Sequence, residues 1–329
     1  MKVSILIPSF NNSEFISETI QSVLSQSYPE LECIVVDDGS TDATRDIVST
    51  LAKQDLRLSL YSRPDHLPKG ANSCRNYGAS LSSGDLLLFL DADDLLSLEC
   101  LENRLKNYQD QDLLIGSTGN FSLEIQDATP FSKGLSPTKT PEDYLSLFLE
   151  YSIPWHTSSG LWRRAFFDQI GGFNPALQRF QDVEIHVRAL SQDGIKLKID
   201  PTNDFTSYYR KSAFHQKMTL EKRRYIFDQG MVYLETVDEF LPVGFKNRLE
   251  GTMIYLMFRF EEVFTALDLN RFNEIISTVK QTSSASFGSW EFQGIRAMFE
   301  KSGPNRLRKY LSFVLYRMYA RRIESELGS

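Results

Sequence analysis

Four short runs of mostly apolar, often β-branched residues, Val3–Ile7, Cys33–Val36, Arg57–Tyr61 and Leu86–Leu90, constrain the fold of the first part of this chain. Helical stretches separate them at Glu14–Gln26, Ala43–Gln54 and Ala71–Leu81. A continuously apolar strand leaves neither face for water, so its sheet is covered on both sides. Strands that alternate with helices in this way pair in parallel. The pattern predicts an α/β doubly wound unit, which binds ligands at the carboxyl ends of its strands. Ser13 and Asp42 stand where N-caps are expected, and Gly84 where a chain leaving a helix often takes positive φ.

Residues 110–160 are broken by Gly116, Gly119, Gly134, Pro130, Pro137, Pro141 and Pro154 and read as irregular. A strand at Gly160–Trp162, a helix at Arg164–Ile170, the Gly171-Gly172 pair, a helix at Asp182–Gln192 and a strand at Lys196–Ile199 follow. From Leu220 the texture is helical, with aromatic-rich segments at Tyr225–Phe240 and Leu249–Leu267, so a boundary is expected near residue 215. A length of 329 residues suits one large domain or two ordinary ones. The net charge of -7 argues against a surface built to wrap nucleic acid. Cys33, Cys74 and Cys100 form no CxxC pair and fit reduced thiols, with Cys33 a small core residue. No stretch reaches the roughly 18–20 apolar residues of a membrane span, and residues 3–7 run into Pro8 as a strand would. The expected location is cytoplasmic, or peripheral on the inner face of the cell membrane.

Acids and amides cluster where the strands end. Pro8-Ser9-Phe10-Asn11 follows the first strand; Phe10 suits stacking on a base and Asn11 suits a ribose, although the segment also reads as a plain turn. Asp37 and Asp38 follow the second strand, where a carboxylate accepts from a uracil N–H or a ribose hydroxyl, or caps the next helix together with Asp42. Leu86–Leu90 delivers Asp91, Ala92, Asp93 and Asp94. Ala92 is small enough for Asp91 and Asp93 to approach one point, where Mn²⁺ or Mg²⁺ would relieve their repulsion and hold a diphosphate; a solvated acidic turn is the bland reading. Gly70 and Ala71 open a helix whose N-terminus favours anions, and Arg75 lies one turn in, within reach of phosphate. Asp182, after the glycine-rich turn Gly171–Asn174, is either a general base or an N-cap.

Taken together, Ser4-Ile-Leu-Ile-Pro-Ser-Phe-Asn, Val35-Val-Asp-Asp-Gly-Ser-Thr-Asp, Arg75-Asn-Tyr-Gly, Leu90-Asp-Ala-Asp-Asp and Gly171-Gly-Phe-Asn resemble the family 2 glycosyltransferases of the GT-A fold, over about residues 1–210. The resemblance implies a mostly parallel sheet with helices on both faces. It also implies a nucleotide-sugar-binding and catalytic domain over 1–215 and a helical C-terminal region over 216–329 with an acceptor, oligomer or membrane-surface role. The implied reaction is inverting transfer from a nucleoside-diphosphate sugar, usually a UDP-sugar, to a glycan or lipid-linked glycan acceptor. Base and ribose contacts fall to Pro8–Asn11 and Asp38, diphosphate and metal (Mn²⁺ or Mg²⁺) to Asp91 and Asp93, and the general base to Asp182. The family's Glu-Asp pair here reads Gln181-Asp182. Its Tyr-Arg-x-His stretch reads Tyr209-Arg210-Lys211-Ser212, with a histidine only at His215.

His156, beside Trp155, is either a packed histidine or an acceptor-side contact, and His186 shares a helix face with Asp182 as a metal partner or a mere neighbour. The basic amphipathic segment 306–323 suits either an anionic membrane surface or the protein's own body, and a homodimer is a further expected partner. Two other functions fit parts of the pattern. A nucleotidyltransferase would need a glycine-rich phosphate loop where Ser9-Phe10-Asn11-Asn12 stands, and a non-catalytic sugar-nucleotide binder would have no use for Asp182.

Overall fold

The computed structural model describes residues 1–132, 134–200, 204–211 and 218–282, and beyond them 292–294, 297, 315, 318 and 319. His215 lies outside the described residues, as does the basic segment 306–323 apart from 315, 318 and 319.

In chain order, β1 (Val3–Ser9) leads through α1 (Ile16–Leu24) to β2 (Leu31–Asp37), α2 (Thr44–Ala52), β3 (Leu58–Ser62), α3 (Ala71–Leu81) and β4 (Leu86–Phe89). Next come β5 (Leu95–Leu96), α4 (Cys100–Asn107), β6 (Leu113–Ile115), β7 (Thr118–Phe121), β8 (Thr129–Pro130) and α5 (Pro141–Leu149). The chain continues as β9 (Gly160–Arg163), α6 (Arg164–Gln169), α7 (Gln181–Leu190), β10 (Leu197–Ile199) and β11 (Ser207–Arg210). It proceeds through α8 (Leu220–Phe240), α9 (Leu249–Arg259) and α10 (Ala266–Thr282).

Seven strands form one sheet in the order β10-β6-β9-β4-β1-β2-β3. Only β9 runs against the others, antiparallel to both β4 and β6. Both faces are covered, as continuously apolar strands require. Ile5, Ile7 and Val35 share a buried cluster with Ile16, Ile20 and Val23 of α1 and Val48 of α2. On the opposite face α3 packs through Gly78, where a Cβ would lie 3.4 Å from both Leu6 and Val36. Each fully buried Ile, Leu or Val contributes about 1.5–3 kcal/mol, so the sheet's middle is its most stable part. Cys33, Cys74 and Cys100 are all buried free thiols.

Two local expectations change. Gly84 does not adopt positive φ; a Cβ there would lie 2.5 Å from the Ser4 hydroxyl and 2.7 Å from the Ser4 nitrogen, so close approach is what demands glycine. The irregular stretch 110–160 contains β6, β7, β8 and α5. A small second sheet, in the order β5-β11-β7-β8, collects two of these short strands, β7 and β8, with β5 and the Tyr-Tyr-Arg segment of β11. Strands this short offer too few residues for a periodic signal.

Cα proximities divide the chain into two units. The first comprises Met1–Lys139, Pro154–Ile185 and Gly194–Phe214, and contains both sheets. The second comprises Thr140–Ile153, His186–Asp193 and His215–Ser329. Within the second unit α5 begins at a capping box, Thr140 with Asp143, and meets α9 through the Thr252 hydroxyl, which donates to the Leu149 carbonyl (2.7 Å). Gly251 allows that approach, since a Cβ there would lie 2.5 Å from the Glu150 Cα. Among the described residues no helix is long and apolar enough to cross a membrane.

Candidate active site

The register of the central strands brings the acids together. Ser9 pairs with Asp37 across β1 and β2, and Leu6 pairs with Phe89 across β1 and β4, so all three strands end at one rim. There a cavity of about 240 Å³ is lined by Pro8, Ser9, Phe10, Asn12, Asp38, Ala71, Cys74, Arg75, Asp91, Ala92, Asp93 and Gln181.

The two acids after β2 divide the work. Asp37 turns inward and closes the loop, its Oδ2 accepting from the Gly39 and Ser40 amides (3.0 Å each) and from Arg45. Asp38 faces the cavity. Its Oδ1 accepts from Arg63 Nε (2.5 Å) and its Oδ2 from the Gly70 amide (3.0 Å). Gly70 itself sits at φ +134°, where its missing Cβ also makes room for the Gln178 side chain. Phe10 is 44% exposed, with the Lys69 ammonium 4.1 Å from its ring centroid. Asn11 is not in the lining; its Oδ1 accepts from the Thr41 amide (2.8 Å) and ties the two loops, while Asn12 reaches the cavity. Asp42 bridges Ser13 and Thr44, ahead of α2.

At the end of β4 the charges are unevenly balanced. Arg75 is almost fully buried, donates to Asp91 Oδ1 (2.6 Å) and to Asn72 Oδ1 (3.2 Å), and keeps its buried Nε without a partner. Burial disfavours the charged form of Asp91, but the Arg75 guanidinium outweighs that and holds the carboxyl below its usual range. Asp93 is pushed up to about 6, by burial first and by the Asp91 charge second. Asp94 is fully buried and raised well above its ordinary value by burial, Asp91 and Asp93. Its Oδ1 accepts from the Arg210 amide (3.0 Å), while its Oδ2 has no hydrogen-bond partner and lies 3.5 Å from His156 Nδ1. Ligand atoms of Asp91, Asp94 and His156 all lie within 4.8 Å of one another and could hold a cation, whereas Asp93, expected beside Asp91 as a metal ligand, lines the cavity outside that trio. Burial lowers the His156 pKa, keeping the ring neutral and able to ligate.

Asp182 opens α7 beside this cluster, where its charge acts on Arg75, His156 and Tyr209. Helix α3 holds the loop that leads to it. Asn76 accepts from the Phe173 amide (2.9 Å) and donates to the Phe173 carbonyl (2.7 Å), and Asn72 donates to the carbonyls of Asn174 and Leu177. A Cβ at Gly172, φ +67°, would lie 2.7 Å from Asn76 Oδ1. The Arg75-Asn76 and Gly171-Gly172-Phe173 segments are thus one clamp. His186, by contrast, is buried and stacked on Phe148 (5.1 Å).

Arg63 carried no motif in the sequence, and Asn12 and Asp94 stood in their motifs without a site role of their own. Arg210, part of the Tyr-Arg stretch, braces the Asp93 carbonyl (2.9 Å) and pairs with Glu18 (2.6 Å). A buried acid at the end of an apolar strand was the one usable signal, and it applied to Asp94 as much as to Asp91.

The family described as Glycosyl transferase family 2 matches residues 4–168, half of the chain. This chain belongs to that family. As a family 2 member it is 38% identical over 131 residues to TuaG of Bacillus subtilis (strain 168), a glycosyltransferase provisionally placed in teichuronic acid biosynthesis; that match covers 40% of this chain and 51% of TuaG. The chain thus spans about half the length of such curated relatives. Among solved structures, Staphylococcus aureus TarS 1-349 in complex with UDP-GlcNAc superposes with a TM-score of 0.67 at 18% identity, covering 98% of this chain and 92% of that one. A mannosyltransferase of Pyrobaculum calidifontis in complex with GDP-Man and Mn²⁺ gives 0.52 at 17% identity, covering 98% and 86%. The family 2 chain therefore has the GT-A fold of these structures.

Proposed function

We propose that this chain transfers a sugar from a UDP-sugar to a hydroxyl of a glycan or lipid-linked glycan, by inverting single displacement. The observation that carries the reading is the cavity in which Phe10, Asp38, Arg75, Asp91 and Asp93 meet at one sheet rim, beside Asp182. Family membership and the complex of the TarS fold with UDP-GlcNAc support the donor class. The residues also fit a divalent cation: the donors are carboxylate oxygens with one imidazole nitrogen, one buried Asp94 oxygen has no partner, and crowded carboxylates keep Asp93 from ionising easily. Such an ion, Mn²⁺ or Mg²⁺, would neutralise charge on the departing diphosphate when bound at Asp91 and Asp93.

The remaining tasks fall to side chains. Phe10 offers its exposed face to the base, and Asp38, fixed by Arg63 and Gly70, accepts from the uracil or ribose. Arg75 lines the cavity and, paired with Asp91, brings a positive charge to where phosphate would lie. Asp182 takes the proton of the acceptor hydroxyl as its oxygen attacks the anomeric carbon. Release of nucleotide from UDP-GlcNAc, UDP-glucose and GDP-mannose, without acceptor and with Mn²⁺, tests this. Slow hydrolysis of a UDP-sugar is expected; inertness toward all three together with absence of their binding would remove the proposal.

A further inference from the structure

Helix α3 meets each part of the site through a different residue. The Gly70 amide ahead of it donates to Asp38, and Arg75 pairs with Asp91. Asn72 and Asn76 hold the loop between α6 and α7, which delivers Asp182 on the first turn of α7. We propose that Asn76 is a positioning residue for the general base: it fastens this loop to α3 and so sets where Asp182 stands relative to the donor cavity. The inference rests on the function proposed above.

Residues 173–178 lie in no strand or helix, so their backbone polar groups need partners from elsewhere. Gly171 and Gly172 take positive φ (+82° and +67°) as the chain leaves α6, and their amides donate to the carbonyls of Asp168 and Phe167. From there α3 takes over. Asn76 grips Phe173 at two points, accepting from its amide and donating to its carbonyl, as a neighbouring strand would. One turn earlier on the same helix face, Asn72 donates to the carbonyls of Asn174 (2.7 Å) and Leu177 (3.0 Å), while its Oδ1 accepts from Arg75. Gln178 Nε2 donates to the Lys69 carbonyl at the head of the helix (2.5 Å).

The side chain of Phe173 ties this grip to the acids. Its buried ring meets Phe89, at the end of β4, edge-on at 4.9 Å, and the Arg75 guanidinium lies 5.0 Å from its centroid. The residue that Asn76 holds is therefore seated against the strand and the cation that carry Asp91. Between the clamp and the base stands Phe180 at φ +62°, a conformation that a bulky residue keeps only where its surroundings impose it. A loop fastened from Phe173 to Gln178 and a constrained Phe180 leave Asp182 little freedom. Displacing a catalytic group by about 1 Å can cost about 10²-fold in rate, so a side chain remote from the reacting atoms can govern turnover through this loop.

Asn76→Ala in the full chain tests the assignment, with whichever of UDP-GlcNAc, UDP-glucose and GDP-mannose the wild type hydrolyses. Its kcat should fall by about 10²-fold, while calorimetry with Mn²⁺ shows donor affinity changed by less than about twofold. Hydrogen exchange should quicken in peptides covering 173–182 and stay as in wild type in β1 and β4. Asn76→Asp keeps the size and the acceptor but sets an oxygen against the Phe173 carbonyl; it should shift kcat in the same direction and serves if Asn76→Ala does not fold. Unchanged kcat in a folded variant, or a fall in kcat matched by an equal loss of donor affinity, overturns the positioning role. Unchanged exchange over 173–182 overturns it as well. A wild type inert toward all three nucleotide sugars removes the transferase reading itself, and the positioning role with it.

Discussion

At the amino rim of the large sheet Glu32 is surrounded by donors, whereas at the carboxyl rim Asp91, Asp93 and Asp94 crowd one another. Glu32 accepts from Lys2 Nζ (2.8 Å), the Ser4 hydroxyl (2.6 Å) and the Ser83 amide (2.6 Å). Burial alone would raise its pKa, but Lys2, Ser4 and Ser83 outweigh that and bring it down to about 2. Asp93 moves the other way, to about 6, because burial and Asp91 both oppose its charge. One fold can satisfy a carboxylate completely, and at its other rim it leaves carboxylates in excess of their cations. The first arrangement stabilises the folded chain; the second costs stability and suits a ligand that brings positive charge.

The largest effect that could break this contrast lies at Asp182. Asp182→Asn should retain UDP-sugar binding by calorimetry yet lose about 10²–10⁴-fold in kcat, the usual contribution of a general base. Near wild-type turnover would remove Asp182 from the role. Next, Asp93→Asn should weaken Mn²⁺-dependent donor binding by at least about tenfold, the lower range for disturbed metal-site shells. The same variant should melt higher than wild type in EDTA, since it deletes a charge that burial disfavours. A lower Tm would mean that Asp93 is structurally satisfied after all.

Glu32→Gln should act oppositely, lowering stability by about 1.5–3 kcal/mol in urea unfolding, as loss of hydrogen bonds to a charged acceptor does, with activity per folded molecule unchanged. The smallest effect is in its pH dependence. A folded pKa lowered from 4.5 to about 2 gives stability that is fully present above pH 4.5 and lost as pH falls toward 2. The Gln variant should therefore show a shallower acid slope of unfolding free energy between those values; parallel slopes would show that Glu32 is not protected.

The contrast also marks what could be read without coordinates. Val3–Ile7 and Leu86–Leu90 announced parallel strands, and a strand end fixes where the next acid points, so Asp38, Asp91 and Asp93 were legible at the rim. Arg63 was not, because its contact with Asp38 depends on the packing of β3 beside β2. The approach of His156 to Asp94 likewise depends on β9 inserting antiparallel beside β4, which composition does not reveal. Gly84 misled for a related reason: a glycine demanded by a neighbouring backbone looks the same in sequence as one demanded by φ.

Calorimetric titration of UDP-GlcNAc into wild type and Asp93→Asn, each with Mn²⁺ and with EDTA, bears most directly on the rim's excess of negative charge. Binding in wild type that requires Mn²⁺, and that Asp93→Asn largely loses, is the predicted result. Equal affinity in EDTA, or Mn²⁺-dependent binding undiminished by Asp93→Asn, would contradict a cation held by these acids.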